Sequence, residues 1–155
     1  SSMYAAYDHL SDGMKNTLNR MRAEHSSRHA FGATAYVGLD DVEGRLGNVT
    51  KATQDAVHPV VIKHPLSGKL ALYVNGDFTV KFEGWSKQES QPLLDYLYLH
   101  AYKNEFTCRF KWTQGSMAIW DNRATQHCAL NDYDGEFRLM HRITISGECL
   151  EPSVT

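Results

Sequence analysis

Three side chains in the last third of the sequence could together bind a metal ion and two anions. His127 closes the run WDNRATQH at residues 120–127, and Arg138 and Arg142 lie eleven and fifteen residues beyond it. Neutral imidazole is the commonest metal ligand at neutral pH. The planar guanidinium of arginine matches a carboxylate or sulfonate with two parallel hydrogen bonds. These residue types predict one metal ligand and two anion clamps.

The same residues also have ordinary structural explanations. A single histidine between Gln126 and Cys128 is more commonly a hydrogen-bonded core residue than a ligand. Paired arginines on a strand more commonly form a solvated face. Spacing and residue type alone leave both explanations open.

Alternating residue types predict the strands that would position these side chains. Across residues 137–146, Arg138 and Arg142 share one face with Met140, about 13 Å apart along the strand. Leu139 and Ile143 point to the other face. Residues 105–112, 116–121 and 125–129 are further predicted strands, and a turn at residues 122–123 precedes the last of them.

Capping and turn residues predict the elements of the preceding part of the chain. Ser11 is typical of an N-cap, and SKQE at residues 86–89 is a capping box. Glycines and acids at residues 27–57 indicate a loop, either a mobile lid or a surface excursion. The predicted helices are 4–10, 12–21 and 87–102, and the inward residues of the last are Leu93, Leu94, Leu97 and Ala101. The predicted strands are 22–26, 58–65, 70–74 and 78–82. The second and third form a predicted hairpin in which His64 is interpreted as structural, and residues 148–155 form a tail.

Strands outnumber helices in this prediction, and most connections are tight turns. That pattern favours a mainly β fold with peripheral helices, a sandwich or jelly roll. At 155 residues, the chain has the length of one domain.

Composition narrows the classes of partner and compartment. The net charge is −2 and 22% of residues are charged, which gives no electrostatic case for nucleic acid or an anionic membrane. A local arginine pair on a mildly acidic chain favours a small anionic ligand. The three cysteines are scattered and form no CxxC, which is typical of a reducing, cytoplasmic compartment. The sequence contains neither a membrane-length apolar run nor a signal peptide.

The motifs resemble the C-terminal part of the taurine dioxygenase (TauD/TfdA) family. The resemblance is carried by WDNRATQH at 120–127, Arg138 and MHR at 140–142, and it extends back through HPVVIKHPLSGK at 58–69, ALYVN at 71–75 and RAEH at 22–25. Members of this family are Fe(II)- and 2-oxoglutarate-dependent oxygenases that use O₂ and have a jelly-roll core. The resemblance therefore implies an incomplete double-stranded β-helix (jelly roll) here.

The resemblance also implies a role for particular residues. His127 corresponds to the distal histidine of a 2-His-1-carboxylate iron site. Arg138 corresponds to the clamp on the far carboxylate of 2-oxoglutarate, and Arg142 to the clamp on the anionic end of the primary substrate. Phe31 and Phe78 correspond to aromatic residues around the substrate, and Trp120 to a pocket wall near the iron.

One family motif is absent from this sequence. The family takes its other two iron ligands from a His-x-Asp pair, and none of the eight histidines has Asp or Glu two residues later. Residues 1–155 are therefore expected to form a single partial domain, the C-terminal part of a longer oxygenase. Alone, the chain is expected to bind iron weakly, to lack dioxygenase activity, and to self-associate through unpaired sheet edges as a homo-oligomer.

Several functions stay open at this point. The preferred substrate is taurine or another alkylsulfonate, but Arg142 fits a carboxylate or a sulfate ester equally well. A non-catalytic jelly-roll module could instead use Arg138 and Arg142 to bind a small dianion. A structural remnant that assembles with itself and binds no ligand is the third alternative.

Overall fold

The structure is a computed structural model that describes residues 1–28, 54–130, 132 and 134–153. In this part of the chain, six short strands outnumber three α-helices and one 3₁₀ helix. They are α1 (Met3–Asp8), α2 (Asp12–Leu18), β1 (Arg22–Ser26), β2 (Asp55–Pro59), β3 (Val61–Lys63), β4 (Leu70–Leu72), β5 (Thr79–Phe82), α3 (Lys87–Ala101), the 3₁₀ helix (Asn104–Phe106) and β6 (Glu151–Pro152).

Local capping explains where the helices begin. The Ser11 hydroxyl accepts a hydrogen bond from Met14 N at 3.3 Å and opens α2. At α3, Ser86 Oγ accepts from Glu89 N at 3.2 Å, and Glu89 Oε2 accepts from Ser86 N at 2.8 Å. This reciprocal pair confirms the predicted capping box. None of the described helices is both long and apolar enough to cross a membrane.

The strands form two antiparallel sheets of three strands each. Their orders are β2-β1-β5 and β4-β3-β6. Strands β3 and β4 confirm the predicted hairpin, and its turn contains Gly68 at φ 69°, a backbone conformation that favours glycine. Val60 is fully buried and is the one residue between β2 and β3, so it joins the two sheets.

Helices α1 and α2 and strand β4 end two or three residues before their predicted ends. Three other differences involve strand pairing. Val60 divides the predicted strand at residues 58–65 into β2 and β3. The predicted loop at residues 27–57 ends earlier, because Asp55 of β2 already pairs with Ser26 of β1. The predicted tail contributes β6, in which Glu151 pairs with Lys63 of β3. Each of these three differences depends on a partner strand that is distant in the sequence.

The core lies where α1 and α3 cover the two sheets. Helix α1 packs on β4, α3 packs on β5, and the two helices also touch each other. The predicted inward face of α3 is confirmed at Leu94, Leu97 and Ala101, which are all buried. Other buried members of the core include Met3, Ala6, Leu18, Ala23, Ile62, Leu72 and Phe82. Burial of each large side chain contributes about 1.5–3 kcal/mol.

The strands predicted at residues 105–112, 116–121 and 137–146 are wrong. The structure has the 3₁₀ helix at the start of the first range and no strand in the others. Side chains of both predicted faces of residues 137–146 are exposed, including Met140 of one face at 41% and Ile143 of the other at 91%. Alternation defines two faces, but a strand also needs a neighbour that completes its hydrogen bonds. These ranges have no ladder partner in the described part of the chain.

We expect the chain to self-associate through apolar side chains of this region. Five of them are more than four-fifths exposed, and contiguous exposed apolar surface promotes association: Met117, Ile119, Phe137, Ile143 and Ile145. Sedimentation velocity should show oligomers whose share grows with concentration. Replacement of Ile143 and Ile145 by lysine should shift the distribution towards monomer, whereas Leu99→Lys on α3 should not. A single monomeric species over the whole concentration range would contradict the expectation.

Candidate functional site

His127 lies against the indole ring of Trp120. The two ring centres are 4.8 Å apart and the planes are inclined by 50°. His127 is exposed, and Trp120 is 39% exposed with its Nε1 donating to Asn122 Oδ1 at 3.0 Å. The imidazole therefore has one aromatic wall and an accessible side. That contact is the one expected of a pocket wall, and the role of Trp120 towards a ligand stays a prediction.

The Asp121 carboxylate organises the turn that separates these two rings. Its oxygens accept hydrogen bonds from Arg123 N and Nε, both at 2.9 Å, and from Arg123 Nη2 at 2.6 Å. His64 Nε2 lies 3.0 Å from Asp121 Oδ2. The Arg123 side chain first, and then the bond with His64, hold the pKa of Asp121 well below its usual range, against the opposite effect of desolvation. Asp121 is therefore ionised at any working pH.

Backbone hydrogen bonds close the same turn. The Asp121 carbonyl oxygen accepts from Ala124 N at 3.1 Å, Thr125 N at 3.0 Å and Thr125 Oγ1 at 2.8 Å. Met3 N donates to Ala124 O at 2.9 Å, and Thr125 forms an isolated bridge with Ser2. The strand predicted at residues 125–129 is thus reduced to this bridge. It fixes the backbone just before His127 to the start of α1.

The neighbour of His127 is also attached to the loop before β5. Gln126 Nε2 donates to Val74 O at 2.5 Å. The next residue, Asn75, accepts a hydrogen bond on Oδ1 from Phe78 N at 2.8 Å. Phe78 is half-buried. The backbone at residues 74–75 therefore anchors both the histidine segment and the predicted substrate-contacting phenylalanine.

The half-exposed Tyr102 lies near the same two segments. Partial burial raises the pKa of Tyr102, against the opposite effect of a hydrogen bond with Gly76, and the proximity of Asp77 and Cys128 raises it further. Asp77 precedes Phe78, and Cys128 follows His127. Tyr102 therefore lies within electrostatic reach of both the loop and the histidine segment.

The two predicted anion clamps occupy a different environment. Arg138 and Arg142 are both exposed, in a stretch without helix or strand. The ring contact of His127 and the bond from Gln126 to Val74 bring together His127, Trp120 and the Phe78 loop. Phe31, the second predicted aromatic contact, lies outside the described residues.

The described residues do not complete an iron site. No three His, Cys, Asp or Glu side chains among them are close enough to share a metal ion. His127 offers one imidazole with an accessible ring, which suits one position of a facial triad and leaves two protein ligands to be supplied.

Asp121 and His64 are the site residues that the sequence analysis did not assign. His64 was interpreted as structural, and it is 6% exposed with both ring nitrogens near polar partners. A local signal for Asp121 was present, because an Asp side chain commonly accepts a hydrogen bond from the backbone N–H two residues later and so forms an Asx turn. The bond to His64 had no such signal, since the two residues are 57 positions apart.

Comparison with known proteins gives a consistent family. The model of the taurine catabolism dioxygenase TauD, TfdA family matches residues 1–144. An alpha-ketoglutarate-dependent sulfate ester dioxygenase from Pseudomonas putida is 36% identical over 146 residues, covering 93% of this chain and 48% of that protein. An alpha-ketoglutarate-dependent sulfonate dioxygenase from Saccharomyces cerevisiae is 33% identical over 145 residues, covering 92% of this chain and 33% of that protein.

Solved structures agree with this result. A taurine dioxygenase from Burkholderia xenovorans superimposes with a TM-score of 0.63 at 31% identity, covering 80% of this chain and 37% of that one. The chain spans about half the length of the Pseudomonas protein and less of the other two.

Proposed function

The chain belongs to the TauD/TfdA family, and from that membership we propose that it forms part of a 2-oxoglutarate-dependent dioxygenase acting on a small anionic substrate. The observation that carries the proposal is the family match over residues 1–144, a range that includes His127, Arg138 and Arg142. The accessible imidazole beside Trp120 supports it. Exposed free thiols at Cys108, Cys128 and Cys149 suit the cytoplasmic compartment that we propose.

His127 is proposed as one iron ligand, because its ring is accessible on one side and held by Trp120 on the other. Bound Fe(II) would supply the site at which 2-oxoglutarate and O₂ react. Arg138 is proposed to clamp the far carboxylate of 2-oxoglutarate and Arg142 the anionic group of the substrate. Two separate clamps allow each anion to be positioned independently.

An alkylsulfonate such as taurine is the proposed substrate class. The printed names of the relatives include both a sulfonate dioxygenase and a sulfate ester dioxygenase, so a sulfate ester is the second candidate. A sulfonate and a sulfate ester both present terminal oxygens to a guanidinium. Phe78, fixed by Asn75 at the loop anchored to Gln126, is proposed to line the substrate pocket, and Phe31 is proposed to do the same. We further propose that the two sheets are part of a jelly roll.

A chimera tests this function. Residues 1–144 of this chain would replace the matching segment of the Burkholderia taurine dioxygenase, and succinate release from 2-oxoglutarate would be measured with taurine, an alkyl sulfate ester and an aryloxyacetate. We expect taurine to stimulate release most. A chimera that folds and binds 2-oxoglutarate but releases no succinate with any of the three would exclude the enzymatic role and favour a dianion-binding module.

Substitution of the two arginines should affect two different substrates. A hydrogen bond to a charged group contributes about 1.5–3 kcal/mol, which corresponds to about 10- to 100-fold in binding. In the chimera, Arg142→Ala should raise KM for the sulfonate by that factor and leave KM for 2-oxoglutarate nearly unchanged. Arg138→Ala should do the reverse. Steady-state kinetics with each substrate varied in turn would measure both.

The matched control is Arg109→Ala, which removes another exposed arginine to which no ligand role is assigned. It should leave both KM values unchanged. An equal effect of Arg138→Ala and Arg142→Ala on the same substrate would refute the separate roles.

A further inference from the structure

We propose that His64 is a positioning residue for His127, acting through the Asp121 turn. The inference deepens the proposed function, because His127 is the proposed iron ligand. It does not depend on iron being bound, since it concerns the position of the imidazole relative to the fold.

His64 is fixed on the fold by contacts on two sides. It follows directly after β3 and is 6% exposed. The ring of Tyr4 in α1 meets it edge-on, with ring centres 5.8 Å apart. The Tyr4 hydroxyl lies 3.0 Å from Ser67 Oγ in the hairpin turn. The imidazole is therefore held between α1 and the β3–β4 hairpin.

The hydrogen bonds of His64 determine which ring nitrogen carries the proton. Ser67 N donates to His64 Nδ1 at 3.3 Å, so Nδ1 is an acceptor. The proton of the neutral ring then lies on Nε2, which donates to Asp121 Oδ2 at 3.0 Å. A backbone donor on one side and a carboxylate on the other define the direction of this bond, as in the outer-sphere pairs that orient metal ligands.

Asp121 transmits the position of His64 to the turn. Arg123 binds the same carboxylate, but it lies in the turn itself and moves with it. His64 is the carboxylate's partner from the folded core. If the bond from His64 is lost, the Asp121 side chain keeps its local bonds and loses its attachment to β3. The turn is then held by its backbone contacts with residues 1–3 and, one residue beyond it, by the bond from Gln126 to Val74.

The two ends of the turn carry the residues of the proposed site. Trp120 directly precedes Asp121, and His127 follows the bridged Thr125 by two residues. Their ring contact at 4.8 Å closes the turn. Movement of Asp121 therefore changes the position of the indole and, through the closed turn, the position of the imidazole.

The test is the accessibility of Trp120 at one fixed pH. An imidazole packed on an indole shields that face of the ring, so quenching of Trp120 fluorescence by acrylamide reports the ring contact. The chain would carry Trp85→Phe and Trp112→Phe so that Trp120 is its only tryptophan. The contribution of His127 is defined by the increase of the quenching constant in His127→Ala. We expect His64→Leu to give at least half of that increase, and His64→Gln, which keeps a donor, to give little of it.

His100→Leu is the matched control. His100 is also buried, at 4% exposure, and its Nε2 donates to Ala6 O at 2.7 Å, but it does not contact the turn. It should leave the quenching constant unchanged. His64→Phe keeps an aromatic ring against Tyr4 and removes the bond to Asp121, and it takes the place of His64→Leu if that variant does not fold.

A quenching constant equal to that of the parent in His64→Leu, or in His64→Phe when it takes the place of His64→Leu, would overturn the proposal. An equal increase in His100→Leu would overturn it too, because the effect would then be general. The readout uses no metal and no substrate. Failure of the proposed enzymatic role would therefore leave this result intact, and failure of this result would leave the enzymatic role open.

Discussion

His127→Ala should abolish substrate-dependent succinate release by the chimera that carries residues 1–144 of this chain. Loss of an outer-sphere partner of a metal ligand costs about 10–100-fold in affinity or activity. Loss of the ligand itself should exceed that range, because two remaining protein ligands cannot hold a facial triad. The proposed role of His127 therefore predicts the largest kinetic effect of any single substitution in the chain.

Two measurements separate this effect from general damage. Thermal unfolding of the variant should resemble that of the parent chimera, because His127 is exposed. His141→Ala, which removes an exposed histidine to which no ligand role is assigned, should keep succinate release within a few-fold of the parent. Activity of His127→Ala close to that of the parent would refute the role of His127 as a ligand.

The isolated 155-residue chain provides the second comparison. Its histidines lack an Asp or Glu two residues later, and its described residues offer no cluster of three metal-binding side chains. With Fe(II), 2-oxoglutarate and taurine it should release no succinate. The chimera differs from it by the segment that supplies the other two ligands. Comparison of the two proteins therefore shows whether His127 supports activity only when those two ligands are present.

Local chemistry explains which parts of the fold the sequence predicted well. The capping box at Ser86 and Glu89 involves residues three positions apart, and the residues themselves encode the bond. The β3–β4 hairpin likewise depends on a short turn containing Gly68. In both cases the partners are close in the sequence, so the residue types are sufficient to predict the structure.

Partners that are distant in the sequence explain what was not predicted. Residues 137–146 have a clear alternation, but the alternation names no neighbouring strand, and the structure forms none there. Conversely, Glu151 and Pro152 have no strand-like pattern and still pair with β3. The site follows the same rule. The motif predicted His127 as a site residue, whereas the bond between His64 and Asp121 became visible only in the structure.

A second large effect is expected from His25, which is buried among aromatic rings in β1. It is 8% exposed, and its ring lies 5.2 Å from the ring of His58 and 5.7 Å from that of Tyr73. Its Nδ1 is 3.4 Å from Thr79 Oγ1, and its Nε2 is buried without a hydrogen-bond partner in the described part of the chain. No carboxylate in this group stabilises a protonated ring.

The groups around His25 all oppose its protonation. Burial first, and the neighbouring His58 second, lower the pKa of His25 to about 4. Burial and the guanidinium of Arg22 lower the pKa of His58 as well. Burial raises the pKa of Tyr73, so its phenol stays neutral and offers no compensating charge. The folded state therefore retains neutral histidines at a pH where the unfolded chain binds protons.

The direction of the pH dependence follows from this difference. Between about pH 6.5 and pH 4, the unfolded chain carries a proton on His25 and the folded chain does not, so the free energy of unfolding falls as the pH falls. The contribution of His25 to the free energy of unfolding is fully present above its pKa in the unfolded chain. It is lost once the pH has fallen to its pKa in the folded chain. A lowering from 6.5 to about 4 corresponds to about 3 kcal/mol, a large fraction of the stability of a small domain.

Replacement of His25 should remove most of this acid sensitivity. Urea unfolding of the chain and of His25→Gln would be measured at pH 7 and near pH 4.5, and the loss of stability on acidification compared between them. The variant should be less stable at pH 7, because the site is built for a neutral ring, yet should lose less stability on acidification. His9→Gln, at an exposed histidine, should lose as much as the parent. Carboxylates titrate in the same range in all three proteins, so the difference between the losses isolates His25. Equal losses in His25→Gln and the parent would show that the buried ring does not remain neutral in the fold.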